Sequence, residues 1–156
     1  YNHPQKECTC SPSSVRRYLS KISGPLLDRI DIHIEVTPVD YNQLSDSRYG
    51  EKSNTIRERV IKARKIQEAR FSNNSGIYCN AQMNTKLIRK YCYLDEKCNS
   101  LLKNAMTKLD LSARAYDRIL KVARTIADLE QTENIQTHHI AEAIHYRSLD
   151  RQNWGK

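Results

Sequence analysis

The sequence predicts a mainly α protein: a bundle of about four or five helices preceded by a short strand-bearing piece. Three of its four prolines, Pro4, Pro12 and Pro25, fall in the first 25 residues, and only four glycines occur in 156. The remainder is therefore nearly free of helix breakers. Residues 113–130 carry an apolar face broader than a single stripe at helical spacing. Strict alternation of apolar and polar residues occurs once, from Ile30 to Val36. A mean hydropathy of −0.76 with 38% hydrophobic residues is low for a strand-rich globule and ordinary for helices with charged outer faces.

Residues 1–13 read as loop, dominated by Pro, Asn, Cys and Ser. Ser13 or Ser14 is placed to cap a short helix through Val15, Tyr18, Leu19 and Ile22, which Ser23-Gly24-Pro25 stops. The alternating segment Ile30–Val36 then reads as a half-buried strand. One strand makes no sheet, so its partners are expected in other chains or in sequence outside these residues. The turn-rich start without Met carries the same expectation, that the chain is a piece of a longer protein.

Pro, Asp, Ser and Gly dominate residues 37–52, and the linker proper is set at 41–52. Ser53 is placed to cap a long helix reaching about Ser72, with Ile56, Val60, Ala63 and Ile66 as its apolar stripe. Arg57, Arg59, Lys62, Arg64 and Lys65 cover its other faces, and Asn73-Asn74-Ser75-Gly76 ends it. A short helix is expected over Asn84–Tyr91. Asp95 caps the next, which holds Leu101, Leu102, Ala105, Met106 and Leu109. Ser112 caps the strongest helix, Ala113–Glu130. There Ile119, Val122, Ile126 and Leu129 form one seam, and Leu120, Ala123 and Ala127 widen it. So wide a face needs burial between several helices. Thr137 is placed to cap a last helix with Ile140, Ala141 and Ile144 inward.

The net charge is +8, with a pI near 9.3. Such a balance fits nucleic acid or another polyanion as partner. It fits a solvated basic surface equally, because Lys and Arg are spread along the chain. Five cysteines (Cys8, Cys10, Cys79, Cys92 and Cys98), odd in number and irregular in spacing, argue against a disulfide framework. With no signal peptide and no apolar run of membrane-spanning length, a reducing cytoplasm is the expected setting and no membrane partner is expected.

Two segments go further than composition. They are Ser23-Gly24-Pro25-Leu26-Leu27-Asp28-Arg29-Ile30-Asp31 and the helix Leu111–Glu130, LSARAYDRILKVARTIADLE. With the closing stretch His139–Arg147, they closely resemble the C-terminal part of the magnesium-chelatase-like AAA+ ATPases. The bacterial competence-associated branch (YifB/ComM) is the nearer group and the chelatase ATPase subunit a more distant one. The resemblance spans roughly residues 4 to 147. It implies that residues 1–40 are the end of an AAA+ α/β core, that 53–148 form the family's helical lid (the chelatase ChlI-like C-terminal domain), and that 149–156 are a tail.

The resemblance also implies roles. Arg29 matches the family's arginine finger, which acts in trans on ATP bound by the neighbouring subunit. On spacing alone, Arg29 reads instead as an ion-pair partner of Asp28 or Asp31. Arg114 matches the sensor-2 arginine, which contacts the nucleotide phosphates; Ser112 fixes the start of its helix and so aims it. Arg118 and Arg124 read as structural or surface residues. Cys8-Thr9-Cys10 resembles half of a Cys-rich motif, so zinc is expected only together with a further upstream Cys pair, and two free thiols are the reading for this chain. Cys79, Cys92 and Cys98 read as packing residues, and His138 and His139 as capping or surface residues. The phosphate-binding loop GxxxxGK[ST] and the acidic Mg²⁺-binding segment do not occur in these residues. The chain alone is thus not expected to hydrolyse ATP or carry a cofactor; ATP and Mg²⁺ belong to the full-length parent.

By this resemblance the parent is a hexamer of identical subunits, an ATP-driven motor on DNA of the branch-migration helicase type used in natural transformation. Arg57, Arg59, Lys62, Arg64 and Lys65 then face either DNA or water. Two alternatives stand beside it. In one the parent drives metal insertion into a tetrapyrrole. In the other the segment is a stand-alone basic helical DNA- or protein-binding module.

Overall fold

The structure, a computed structural model, describes residues 7–36, 38–39 and 50–147. The expected tail 149–156 and nearly all of the linker lie outside the described residues. The helices run in the order α1 (Pro12–Leu19), α2 (Gly24–Leu27), α3 (Ser53–Phe71), α4 (Thr85–Tyr91), α5 (Glu96–Lys108), α6 (Ala113–Leu129) and α7 (Thr137–His145), with a 3₁₀ turn at Asn80–Gln82.

The organising element is α6. Its start is fixed by Ser112, whose Oγ accepts from the Ala115 N–H at 3.1 Å. Its apolar face is wide enough to be covered by α3, α4, α7 and the 3₁₀ turn together, and α5 packs on α7. Ile119, Leu120, Ala123, Ile126 and Ala127 meet Phe71, Met83, Ile88, Leu102, Ile140 and Ala143 in one core. Leu120 is 3% exposed. Leu120→Ala should therefore cost about 2–5 kcal/mol. Urea unfolding checks this, and an unchanged midpoint would mean the site is open.

Two αL residues that are not glycine end the neighbouring helices. At the end of α6, Gln131 (φ 59°) lets Thr132 N–H reach the Ala127 carbonyl at 2.9 Å and its own N–H reach Asp128 O at 3.1 Å. After α5, Asp110 (φ 47°) lets Leu111 N–H reach Met106 O at 3.1 Å. Both satisfy terminal carbonyls and reverse the chain.

Several expected boundaries shift. Ser11, not Ser13 or Ser14, caps α1, because Pro12 with its fixed φ takes the first helical position. Lys52 holds the cap position of α3, which has no side-chain cap; the end is exposed, and the Thr55 N–H turns to the Lys52 carbonyl at 3.0 Å. Gln136 rather than Thr137 caps α7, where its backbone N–H donates to His139 Nδ1 at 2.9 Å.

The expected apolar stripe on α3 is only half buried. Ile56 and Val60 are 40% and 42% exposed, and the helix packs from Ala63 onward through Ala63, Gln67 and Phe71. Gln67 is tolerated inside because its Oε1 accepts from the Asn80 backbone N–H at 3.1 Å.

Ile30–Val36 forms no strand, and there is none among the described residues. The segment is irregular, with a bend at Asp31, and Ile32, Ile34 and Val36 are exposed. A ladder needs a second strand, and no other described segment alternates.

Candidate functional site

The segment after α2 and the start of α6 meet at a buried carboxylate. Pro25 and the short turn of α2 bury Leu27 and direct Asp28 inward, where it is 7% exposed. Asp28 Oδ1 accepts from Ser112 Oγ–H at 2.7 Å, and Arg147 Nη2 lies 3.7 Å away. Arg147, 1% exposed, also donates to the Ile30 carbonyl. Arg118 on α6 pairs with Asp31. Further along, His33 N–H donates to the Tyr146 carbonyl at 2.8 Å, and its ring Nε2 lies 3.1 Å from Leu27 O. Residues 28–33 are thus fastened to the start of α6 and the end of α7.

This fastening decides how the arginines are left. Asp28 and Asp31 are taken by Ser112, Arg147 and Arg118, so Arg29 pairs with neither. It is exposed and makes no ion pair among the described residues. Arg114, in the first turn of α6, is likewise exposed and without an ion pair among the described residues. There it also faces the positive end of the helix dipole, a position that disfavours a cation unless an anion joins it. The two arginines adjoin the partners of one hydrogen bond in the chain, Arg29 directly after Asp28 and Arg114 two residues after Ser112. Guanidiniums with free donors fit phosphate oxygens in bidentate geometry. Nucleotide phosphates therefore suit the residues present. The glycine-rich cradle and its lysine are not in this sequence.

Arg118 is structural, through Asp31. Arg124 is a core residue: its Nε donates to Asp128 Oδ1 at 3.1 Å, and its Nη1 and Nη2 donate to the carbonyls of Glu133 (2.6 Å) and Thr132 (2.7 Å). Asp128, 0% exposed, also holds the Arg70 fork, with Nη1 at 2.6 Å, and accepts from Asn80 Nδ2 at 2.8 Å. Burial pulls the Arg124 guanidinium down from its usual range, and Asp128 opposes that shift.

The basic residues of α3, Arg57, Arg59, Lys62, Arg64 and Lys65, are all exposed. At 100° per residue Arg57 and Arg64 share one side, whereas Arg59 and Lys62 lie on another, so they make no single stripe. Arg59 is engaged by Glu51 through paired bonds of 2.9 and 3.1 Å.

Cys8 and Cys10 are exposed free thiols. The Cys10 backbone and thiol, hydrogen-bonded to Cys8, lower the Cys8 thiol, and the same pairing raises Cys10. Two thiolates supply only half of a tetrahedral zinc shell. Cys92 and Cys98 are packing residues; burial pushes them up to about 12 and about 11.

The group Glu130, His138 and His139 has metal-like composition. His139 is buried, which the sequence did not reveal, and its Nδ1 accepts from the Gln136 N–H. Its neutral ring therefore carries the proton on Nε2, facing Glu130 Oε2 at 3.0 Å, so no lone pair is offered there. His138 Nε2 lies 2.9 Å from the same oxygen, and the two bonds hold the Glu130 carboxyl below its usual range. The group ties the end of α6 to the start of α7.

Sequence reasoning singled out Arg29 and Arg114 but missed Asp28, Arg147 and Asp128. Each of those is recognisable only by its partner, 84 positions away for Asp28 and Ser112. No described helix is long and apolar enough to cross a membrane.

Comparison with known proteins adds the family context. The family model for the C-terminal part of magnesium chelatase subunit ChlI matches residues 50–147, and the model for magnesium chelatase subunit ChlI matches residues 1–44. The chain is 44% identical over 142 residues to the competence protein ComM of Haemophilus influenzae, covering 90% of this chain and 27% of that protein. It is 39% identical over 143 residues to the uncharacterized protein YifB of Escherichia coli, covering 91% of this chain and 27% of that protein. An uncharacterized Mycobacterium tuberculosis protein is 32% identical over 142 residues, covering 91% and 28%. The chain thus spans roughly a quarter of the length of the curated relatives it matches.

Proposed function

The chain belongs to the magnesium chelatase subunit ChlI family, and from that premise we propose that it is the lid and arginine-finger segment of an ATP-driven AAA+ motor. In this reading Arg29 reaches the γ-phosphate of ATP held by the neighbouring subunit of a hexamer. Arg114, as sensor 2, contacts nucleotide phosphates and reports their state to the lid. ATP and Mg²⁺ are held elsewhere in the full-length protein, and this chain does not turn over ATP alone.

One observation carries the reading. Asp28 and Asp31, the carboxylates beside Arg29, are held by Ser112, Arg147 and Arg118, and Arg29 and Arg114, next to the two ends of the Asp28–Ser112 bond in the chain, are exposed and without ion pairs among the described residues. Arg114→Ala is expected to raise the Kd for ATP about 10- to 100-fold, the loss of a charged hydrogen bond of about 1.5–3 kcal/mol. Unchanged nucleotide affinity and kinetics would reject the sensor role.

DNA is the proposed substrate of the motor, as in a branch-migration helicase of natural transformation. The support is the 44% identity to a protein named for competence, together with the net charge of +8. Of the basic residues of α3, Arg57 and Arg64 share one side and would lead the contact. The test is ATPase activity of the full-length protein with and without DNA, beside DNA binding at stepped salt. Stimulation by DNA and affinity that falls steeply with salt are expected. DNA-independent turnover with no salt-sensitive binding would instead favour the rival reading, metal insertion into a tetrapyrrole.

A further inference from the structure

We infer that Asp28 and Ser112 are positioning residues, and that the bond between them couples the finger segment to the sensor helix. The inference rests on the roles proposed above for Arg29 and Arg114. Its structural basis does not.

The bond has an unusual place in the chain. Ser112 serves two elements with one oxygen: its lone pair caps α6 through Ala115 N–H, and its proton goes to Asp28. Asp28 closes the turn that presents Arg29, whose N–H donates to Leu26 O at 3.0 Å, followed by Ile30 N–H to Leu27 O at 3.1 Å. A displacement of the first turn of α6, where Arg114 sits, therefore pulls directly on the residue before Arg29. Arg147 holds the same segment from the other side, through Asp28 and the Ile30 carbonyl. The carboxylate is buried, so water does not readily replace Ser112 as its donor. Two arginines that must meet phosphates of different nucleotides are thus tied together inside one subunit. Binding at one would bias the aim of the other.

A merely structural role for Ser112, as helix cap, is separable. Aspartate caps a helix about as well as serine, but Ser112→Asp replaces the donor facing Asp28 with a like charge. Threonine keeps both the cap and the donor. In the full-length protein, Ser112→Asp is expected to lower ATP turnover about tenfold or more with KM for ATP little changed, whereas Ser112→Thr retains turnover. In the 156-residue chain itself, Ser112→Asp should speed amide hydrogen exchange at Arg29 and Ile30 about tenfold, with the helical circular dichroism preserved. Asp28→Asn, which keeps an acceptor for Ser112, should lie between Ser112→Asp and the unmodified chain in exchange rate.

If Ser112→Asp matches the unmodified protein in both exchange and turnover while Ser112→Ala lowers stability, Ser112 is a cap only and the inference is overturned. If exchange rises but turnover does not, the fastening exists and the coupling is refuted. Wild-type turnover in Arg29→Ala would remove the finger role itself, an outcome separate from both, since the exchange measurement still reads the fastening.

Discussion

Replacing Arg29 by alanine in the full-length protein should lower ATP turnover by about 10³–10⁵ while leaving nucleotide affinity largely intact. The size follows from what a finger does. Negative charge spreads over the transferred phosphoryl oxygens only near the transition state, and a guanidinium supplied across a subunit boundary stabilises that charge without contributing much to ground-state binding. Arg29 has the required surroundings: exposed, beside a fixed turn, and with its neighbouring carboxylates already occupied. A free Asp31 would compete for the Arg29 guanidinium. Instead Arg118 takes it. Steady-state turnover and equilibrium nucleotide binding, measured on the same preparation, decide the matter. Loss of nucleotide binding in place of turnover would reject the finger.

The second large effect concerns stability. Asp128→Ala should destabilise the helical unit by about 3–5 kcal/mol, the cost of leaving a buried charge uncompensated. One carboxylate, 0% exposed, faces two guanidiniums, Arg70 and Arg124, and also accepts from Asn80. Its removal strands two cations rather than one. Arg124 would keep only its bonds to the Glu133 and Thr132 carbonyls. The double variant Asp128→Ala/Arg124→Met is expected to recover part of the loss, since an apolar side chain of similar length needs no counter-charge. Chemical unfolding of the single and double variants measures both. A single variant within about 0.5 kcal/mol of the unmodified chain would mean that the network is open to water.

The helical architecture was legible because its signals are local. Asp95 and Ser112 each cap the helix that their position predicts, the short helix expected from Asn84 begins one residue later with Asn84 as its cap, and the wide apolar face of residues 113–130 becomes the covered centre of the bundle. Where local signals compete, the reading slipped. Ser53 and Thr137 look like caps, yet each is the first helical residue, because Lys52 and Gln136 already hold the extended cap conformation. The αL turns at Asp110 and Gln131 carry no glycine to announce them. Arg29 and Arg114 are singled out only by the resemblance. Asp28, Asp128 and Arg147 stayed hidden, because nothing local says that a charge is buried: even the Arg124–Asp128 pair, four residues apart, has the spacing of an ordinary surface pair. In a sequence that is 28% charged, no single Asp or Arg stands out.

Helix α3 has one more consequence, a mechanical one. It is buried in the bundle only from Ala63 onward, while the turns from Ser53 to Lys62 are exposed, Ile56, Val60 and Ile61 included. At 1.5 Å per residue the free portion is about 15 Å long. It continues the packed helix without a break, so a rotation at the contact with α6 would carry it along as a rigid arm. Any small rotation of that contact is magnified at the tip in proportion to the arm, and the tip is where residues 50–52 join the helix. A tilt of the bundle would thus be felt at the chain connection itself, far in sequence from either of the two exposed arginines.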